Sequence, residues 1–296
     1  MREYNNPSDF KSFHDFVASY MKTYSRRLEM GTFRHHKSCM GKFKKYCEGL
    51  QFHELTEDFL RDYLIYMKKT LHNADSTAQR NLSTIKIYVS AAIKKGYMEY
   101  DPFKDFGVKR IKSNIDYLTE EELIKYVSLY YDRILPERLE RTLGFFLFMC
   151  FTSLHISDAR HVCLEQINNG MLTYYRIKNR NCKPEAIKIP LSIPAFKIIE
   201  ELQGKRKEGR LFTSLQCDQV INRQIKEITS ILEIKKKVSA KTGRHTFATI
   251  FLKKTKDVAT LQKLLGHSNL KETMIYAHVL DESKQEGMQC FNCFAI

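Results

Sequence analysis

Apolar positions recur through the first hundred residues with the spacing of helix faces. Phe10, Phe13, Phe16, Val17, Tyr20 and Met21 share one side of a helix that Asp9 can cap. A second helix is expected from about Thr32 to Tyr46. A third starts near Thr56. Glu57 and Asp58 stand in its first turn, where the helix dipole favours acids, and Phe59, Leu60, Tyr63, Leu64 and Met67 form its apolar face. A fourth runs from about Ser76 to Lys95 and stops at Gly96, and Asp101-Pro102 then breaks the pattern. Four helices with short connections predict a small all-helical bundle over residues 1–103. Lys104 to Tyr117 is rich in Lys, Arg and Asp without a period, and 104–116 reads as a linker.

Residues 117–296 form a second domain. Thr119-x-x-Glu122 is a capping box, and Pro136 suits the first turn of the next helix. That helix carries Leu143, Phe145, Phe146, Leu147, Phe148 and Met149, apolar almost all round, as a buried helix is. Between Gln166 and Pro190 the period changes. Asn168-Asn169-Gly170 is a turn signal, and Met171 to Ile177 and Ala186 to Ile189 are rich in β-formers. Amphipathic helices follow at Ser192–Leu202 and Asp218–Leu232, and one from about Lys256 to Leu265 ends at Gly266. The expected fold class is α+β: mainly helical, with a small antiparallel sheet. A tail, 282–296, is polar and then ends in Met288, Phe291, Phe294 and Ile296, as if built to dock.

Charge narrows the function. Lys and Arg number 49 against 34 Asp and Glu, a formal charge of +15. That balance favours a polyanionic partner, nucleic acid first. Basic and hydroxyl groups stand on the expected bundle: Arg34, His35, His36, Lys37, Lys42, Lys44 and Lys45 on the second helix, then Lys68, Lys69, Thr77, Gln79, Arg80, Ser83, Thr84 and Lys86. Such groups contact phosphates and base edges, or simply make a solvated face. Lys235-Lys236-Lys237 is a basic run that is expected either to touch a DNA backbone or to be a solvated loop. No apolar run approaches about 18 residues, so no membrane span is expected. The first ten residues lack the apolar core of a signal peptide. Eight scattered Cys read as reduced thiols, and one Cys290-x-x-Cys293 without a second pair is a poor zinc site.

The chemistry concentrates between Ser239 and Val279. Arg244 offers a rigid fork of donors that matches a phosphate. His267 can donate a hydrogen bond or carry a proton near neutral pH. Tyr276 can act as a nucleophile if a neighbouring charge stabilises its anion. The strings Gly243-Arg244-His245-Thr246-Phe247-Ala248-Thr249, Leu265-Gly266-His267 and Tyr276 nine residues later resemble the C-terminal signature of the tyrosine recombinases, the phage-integrase family. The resemblance covers about Asp9 to Val279.

The resemblance implies an N-terminal core-binding domain that clamps DNA with a C-terminal catalytic domain. It implies a site-specific recombinase that needs neither metal nor nucleotide, with no cofactor. Tyr276 would form a 3′-phosphotyrosyl link, Arg244 and His267 would hold the transition-state charge, and Lys178, at the hairpin position, would protonate the leaving 5′-oxygen, with Lys183 and Lys188 as competitors. Double-stranded DNA, a homo-tetramer on DNA, accessory DNA-bending proteins and a bacterial cytoplasm also follow from it. The tail would pack on a neighbouring subunit or on its own domain. Lys42, Lys45, Arg80, Lys86, Lys235 and Lys236 are the expected DNA contacts.

Two positions depart from the family pattern. Thr152-Ser153-Leu154-His155-Ile156-Ser157-Asp158 resembles a segment whose fourth residue is the first catalytic arginine, and here it is His155. Histidine offers fewer donors and is only partly charged at pH 7. Either His155 works as a weaker substitute, or another cation reaches in, or catalysis is lost. Arg160, five helical positions on, would turn about 140° away. Asp158 orients a neighbour or caps the short helix. Lys241 replaces the His three residues before Arg244. It can still bind phosphate but is a poor base when charged. His245 has a supporting or packing role. The rival readings are a catalytically impaired DNA-binding relative acting as a regulator or accessory protein, a type IB topoisomerase and a metal-dependent nuclease.

Overall fold

The computed structural model describes residues 10–107, 115–177 and 185–280, the side chains of 278–280 excepted. The chain divides into two compact units, Met1–Ser113 and Asn114–Ile296. Among the described residues, no helix is long and apolar enough to cross a membrane.

The first unit holds four helices, α1 (Phe13–Tyr24), α2 (Met30–Tyr46), α3 (Glu57–Lys69) and α4 (Asp75–Lys94). Ser12 caps α1 by accepting the Asp15 N–H at 3.2 Å; Asp9, expected there, lies outside the described residues. Thr56 caps α3 through the Phe59 N–H. Past α4, Gly96 takes the left-handed conformation (φ +79°) that ends helices at little steric cost. Phe13, Phe16, Phe43, Tyr63 and Tyr88 fill the core. Phe43 and Tyr63 meet edge to face at 4.8 Å between centroids, the geometry the ring quadrupoles favour. Phe103 and Phe106 join this core, so the segment expected as linker holds a packed residue at its third position, Phe106; 108–114 lie outside the described residues. Two groups expected on the polar face are instead inside it. His36 bonds the Tyr88 hydroxyl at 2.9 Å, and Thr84 donates to the Arg80 carbonyl.

In the second unit, α5 (Glu120–Tyr131) opens on the reciprocal Thr119–Glu122 capping box. α6 (Glu137–Thr152) is the central helix and is buried from Thr142 to Cys150. Pro136 stands at its N-cap rather than in its first turn. A short α7 (Ile156–Ala159) leads into β1 (Ile167–Asn168), β2 (Met171–Tyr174) and β3 (Ile187–Pro190), an antiparallel sheet in the order β1-β2-β3. Asn169 and Gly170, both at positive φ, make the turn between β1 and β2. Leu172 pairs with Ile189 and Tyr174 with Ile187, which puts all four buried side chains on one face. The second strand is shorter than expected. Its continuation leaves the ladder because the Asp158 carboxylate takes the Ile177 N–H at 3.0 Å and the Arg176 guanidinium reaches the Gly266 carbonyl.

The unit closes with α8 (Ile193–Gln203), α9 (Asp218–Ile231), α10 (Ala240–Thr255), α11 (Val258–Leu265), α12 (Leu270–Thr273) and a 3-10 stretch, Met274–Leu280. α10 packs closely on α6. A Cβ at Gly243 would stand 3.3–3.4 Å from Met149, Cys150 and Phe146, so a larger residue would push the next one, Arg244, out of place.

Candidate active site

Arg244 is buried on α10 and aimed at the α6–α7 turn and the end of α11. Its guanidinium donates to the Ser153 carbonyl (2.9 Å) and the Leu265 carbonyl (2.7 Å), and one terminal nitrogen also meets His267 Nε2 at 3.0 Å. Ser153 can present that carbonyl because it ends α6 in the left-handed conformation (φ 62°). Gly266 does the same for α11 (φ 61°) and turns His267 back toward Arg244. A Cβ at Gly266 would overlap Ile187 Cδ1 and crowd Arg176, so glycine is required there for space as well as conformation.

An N–H of Arg244 donates to Nε2 of His267, so the imidazole proton sits on Nδ1 and donates to Thr273 Oγ1 at 2.9 Å. Burial, then the nearby Arg244 and Arg176 charges, push His267 down to about 4. It is a neutral acceptor in this resting arrangement.

Tyr276, in the 3-10 stretch after α12, is 1% exposed. Its hydroxyl meets His245 Nδ1 at 2.7 Å, between buried partners. Burial raises the phenol to about 12, against the pull of Arg244. His245 is held down to about 4, by burial first and then by Lys241 and Arg244, with Asp116 opposing. The phenol therefore donates and the neutral imidazole accepts.

The structure brings Arg244, His267 and Tyr276 into one region, with the Lys241 charge close enough to act on His245, and leaves the other expected site residues apart. Lys241 is exposed on α10. His155 is the exposed N-cap of α7, its Nδ1 taken by the Ser157 hydroxyl and N–H. Arg160 turns away as expected, to the carbonyls of Leu215 and Gln216 and the Asp218 carboxylate. Lys178 and Lys183 lie outside the described residues, and Lys188 is exposed on the sheet face opposite the core. Among the expected DNA contacts, Lys45, Arg80, Lys86 and Lys235 are exposed and Lys42 is half-buried. Lys236 is already committed, to Glu122 Oε2 at 2.6 Å and the Tyr117 carbonyl. Among the described residues, no three of His, Cys, Asp and Glu gather where they could hold a metal ion.

Two contributors escaped the sequence reading, and a third was read only as supporting. Thr273 fixes the His267 tautomer. His245, read as supporting, touches the Tyr276 hydroxyl. Arg176 reaches the carbonyl beside His267. Of the two that escaped, Arg176 alone left a trace in the sequence, as a basic residue shortly before Lys178.

The family models fit this arrangement. The phage integrase SAM-like domain matches residues 12–112, and the phage integrase family matches residues 116–283. The chain belongs to the phage integrase family. Its activity is that of the tyrosine-type recombinases, site-specific DNA recombination. A tyrosine recombinase of Thermosipho africanus is 24% identical over 288 residues, covering 94% of this chain and 97% of the relative. The fold is shared with the Tn1549 transposon integrase (TM-score 0.76, 15% identity, 90% and 95% of the two chains). It is shared too with the XerH site-specific recombinase (TM-score 0.71, 19% identity, 94% and 84%).

Proposed function

We propose that this recombinase cuts and rejoins DNA through a 3′-phosphotyrosyl link at Tyr276. The observation that carries the reading is the meeting of Arg244, His267 and Tyr276 around the ends of α10, α11 and α12, with the Tyr276 hydroxyl already bonded to a neutral imidazole. The Tyr276 oxygen attacks a backbone phosphorus, its proton passes to His245 Nδ1, and the bond from phosphorus to the 5′-oxygen breaks. Lys178 gives that oxygen a proton. Arg244 and Lys241 hold the charge on the non-bridging oxygens. An arriving phosphate anion favours protonated His267, which turns it from an acceptor into a donor. The 5′-hydroxyl of a partner strand then attacks the phosphotyrosine and regenerates the tyrosine. Bond energy stays in the covalent link, so the cycle needs no nucleotide.

The partner is double-stranded DNA. The N-terminal bundle (1–103) and the catalytic domain (117–296), joined by 104–116, grip the duplex with Lys42, Lys45, Arg80, Lys86 and Lys235. Four protomers act on two duplexes in a bacterial cytoplasm, with accessory DNA-bending proteins. The test is a nicked suicide substrate carrying the element's end sequence. Incubation should give a protein–DNA band that survives denaturation and vanishes with Tyr276→Phe. Specific binding without that band would instead make the chain a non-catalytic, regulatory DNA-binding protein.

A further inference from the structure

The phosphate site, as the sequence presents it, lacks a cation. His155 stands where the resemblance places an arginine, and its ring is an exposed helix cap bonded to Ser157. Arg160, the nearest arginine in sequence, spends its guanidinium on the segment before α9. A second guanidinium reaches the same turn. Arg176 leaves the end of β2 with its stem against Gly266, where a Cβ would come within 3.3 Å of Arg176 Cδ. One terminal nitrogen donates to the Gly266 carbonyl at 2.8 Å. Arg244 donates to the carbonyl of the preceding residue, Leu265. The two guanidiniums therefore both hold the turn that carries His267, and both act on its charge.

This pocket is unbalanced. Arg176 and Arg244 repel one another, and Asp158 is the carboxylate that acts on Arg244 there. Asp158 is 5% exposed and is already bonded to the Ile177 N–H. Arg176 Nε is buried without a hydrogen-bond partner, as is the hydroxyl of Tyr174. A buried N–H left unpaired is destabilising, more so when it is charged. Two guanidiniums, one carboxylate and unspent donors beside a phosphate-type site are the features of a site that awaits an anion.

We propose that Arg176 supplies the positive charge that His155 lacks, binding a non-bridging oxygen of the attacked phosphate beside Arg244. This rests on the recombinase reading above. Asp158, by holding the backbone at Ile177, fixes the stem from which Arg176 reaches.

The experiment is single-turnover cleavage of the suicide substrate by the full chain, alongside Arg176→Gln and Arg176→Lys. Each is run on a normal phosphodiester and on a methylphosphonate, which lacks the charged non-bridging oxygen. Arg176→Gln should slow phosphodiester cleavage about 10²–10³-fold, the usual loss for one such donor. Arg176→Lys, which keeps the charge but not the fork, should recover part of it. On the methylphosphonate, Arg176→Gln should fall within about ten-fold of the unsubstituted protein, because the charge it would have met is gone. DNA affinity and the melting temperature should be little changed. A phosphodiester loss below about three-fold overturns the proposal, as does an equal loss on both substrates, which would mark Arg176 as purely structural. If the unsubstituted protein itself forms no Tyr276-dependent adduct, the recombinase reading fails first and this proposal falls with it.

Discussion

Acid should loosen the catalytic unit through two histidines. His245 and His267 each sit near 4 in the folded protein, against about 6.5 for an exposed imidazole. Between those values the unfolded chain binds protons that the folded chain refuses, so stability falls as the pH drops. A gap of about 2.5 pKa units at 1.36 kcal/mol each makes the contribution of each histidine about 3 kcal/mol, complete above pH 6.5 and gone by pH 4. Near pH 5 the two together give a slope of about 2–3 kcal/mol per pH unit. His245 is 8% exposed and lies beside Lys241 and Arg244, with Asp116 opposing, while His267 lies beside Arg244 and Arg176. The assay is urea unfolding at pH 7.5, 6.0 and 5.0, followed through histidine resonances of the catalytic unit, with His245→Gln in parallel. The variant should lose about half of the slope. An imidazole of either residue titrating near 6.5 in the folded protein would rule out this origin of the acid sensitivity, as would an unchanged slope in the variant.

Other outcomes follow from single contacts. Gly266→Ala forces a side chain into a left-handed position, costing about 1–2 kcal/mol, and against Ile187, costing about 1–3 kcal/mol more. Chemical denaturation should show the sum, and covalent adduct formation should drop with it. Thr273→Val keeps the shape but leaves the His267 Nδ1–H unpaired beside a fully buried residue. It should cost about 1–3 kcal/mol, and NMR should show His267 losing its single tautomer. Lys235→Ala should lower the slope of log affinity against log salt by about 0.9, one phosphate contact. Lys236→Ala should change that slope less and cost under about 1 kcal/mol in stability, because its ammonium is held by Glu122.

The sequence by itself settled the kinds of elements and their order. Helix faces repeat every three to four residues, and a capping box such as Thr119–Glu122 closes within one turn, so local spacing is enough to find them. It also marked Arg244, His267 and Tyr276, because their spacing is a property of the chain. Tertiary structure decided which charges face the site. The end of β2 leaves its ladder because Asp158 and Gly266, 19 and 90 positions away, offer its backbone and Arg176 better partners than the neighbouring strand. His245 touches Tyr276 across 31 positions, which helical phase could not reveal. The basic run at 235–237 reads as one patch in sequence, yet an acid 114 positions away takes Lys236 out of it. Periodicity fixes which face of an element is apolar. Only packing brings the facing element close enough to decide whether a polar group on that face meets solvent, a carboxylate or a second guanidinium.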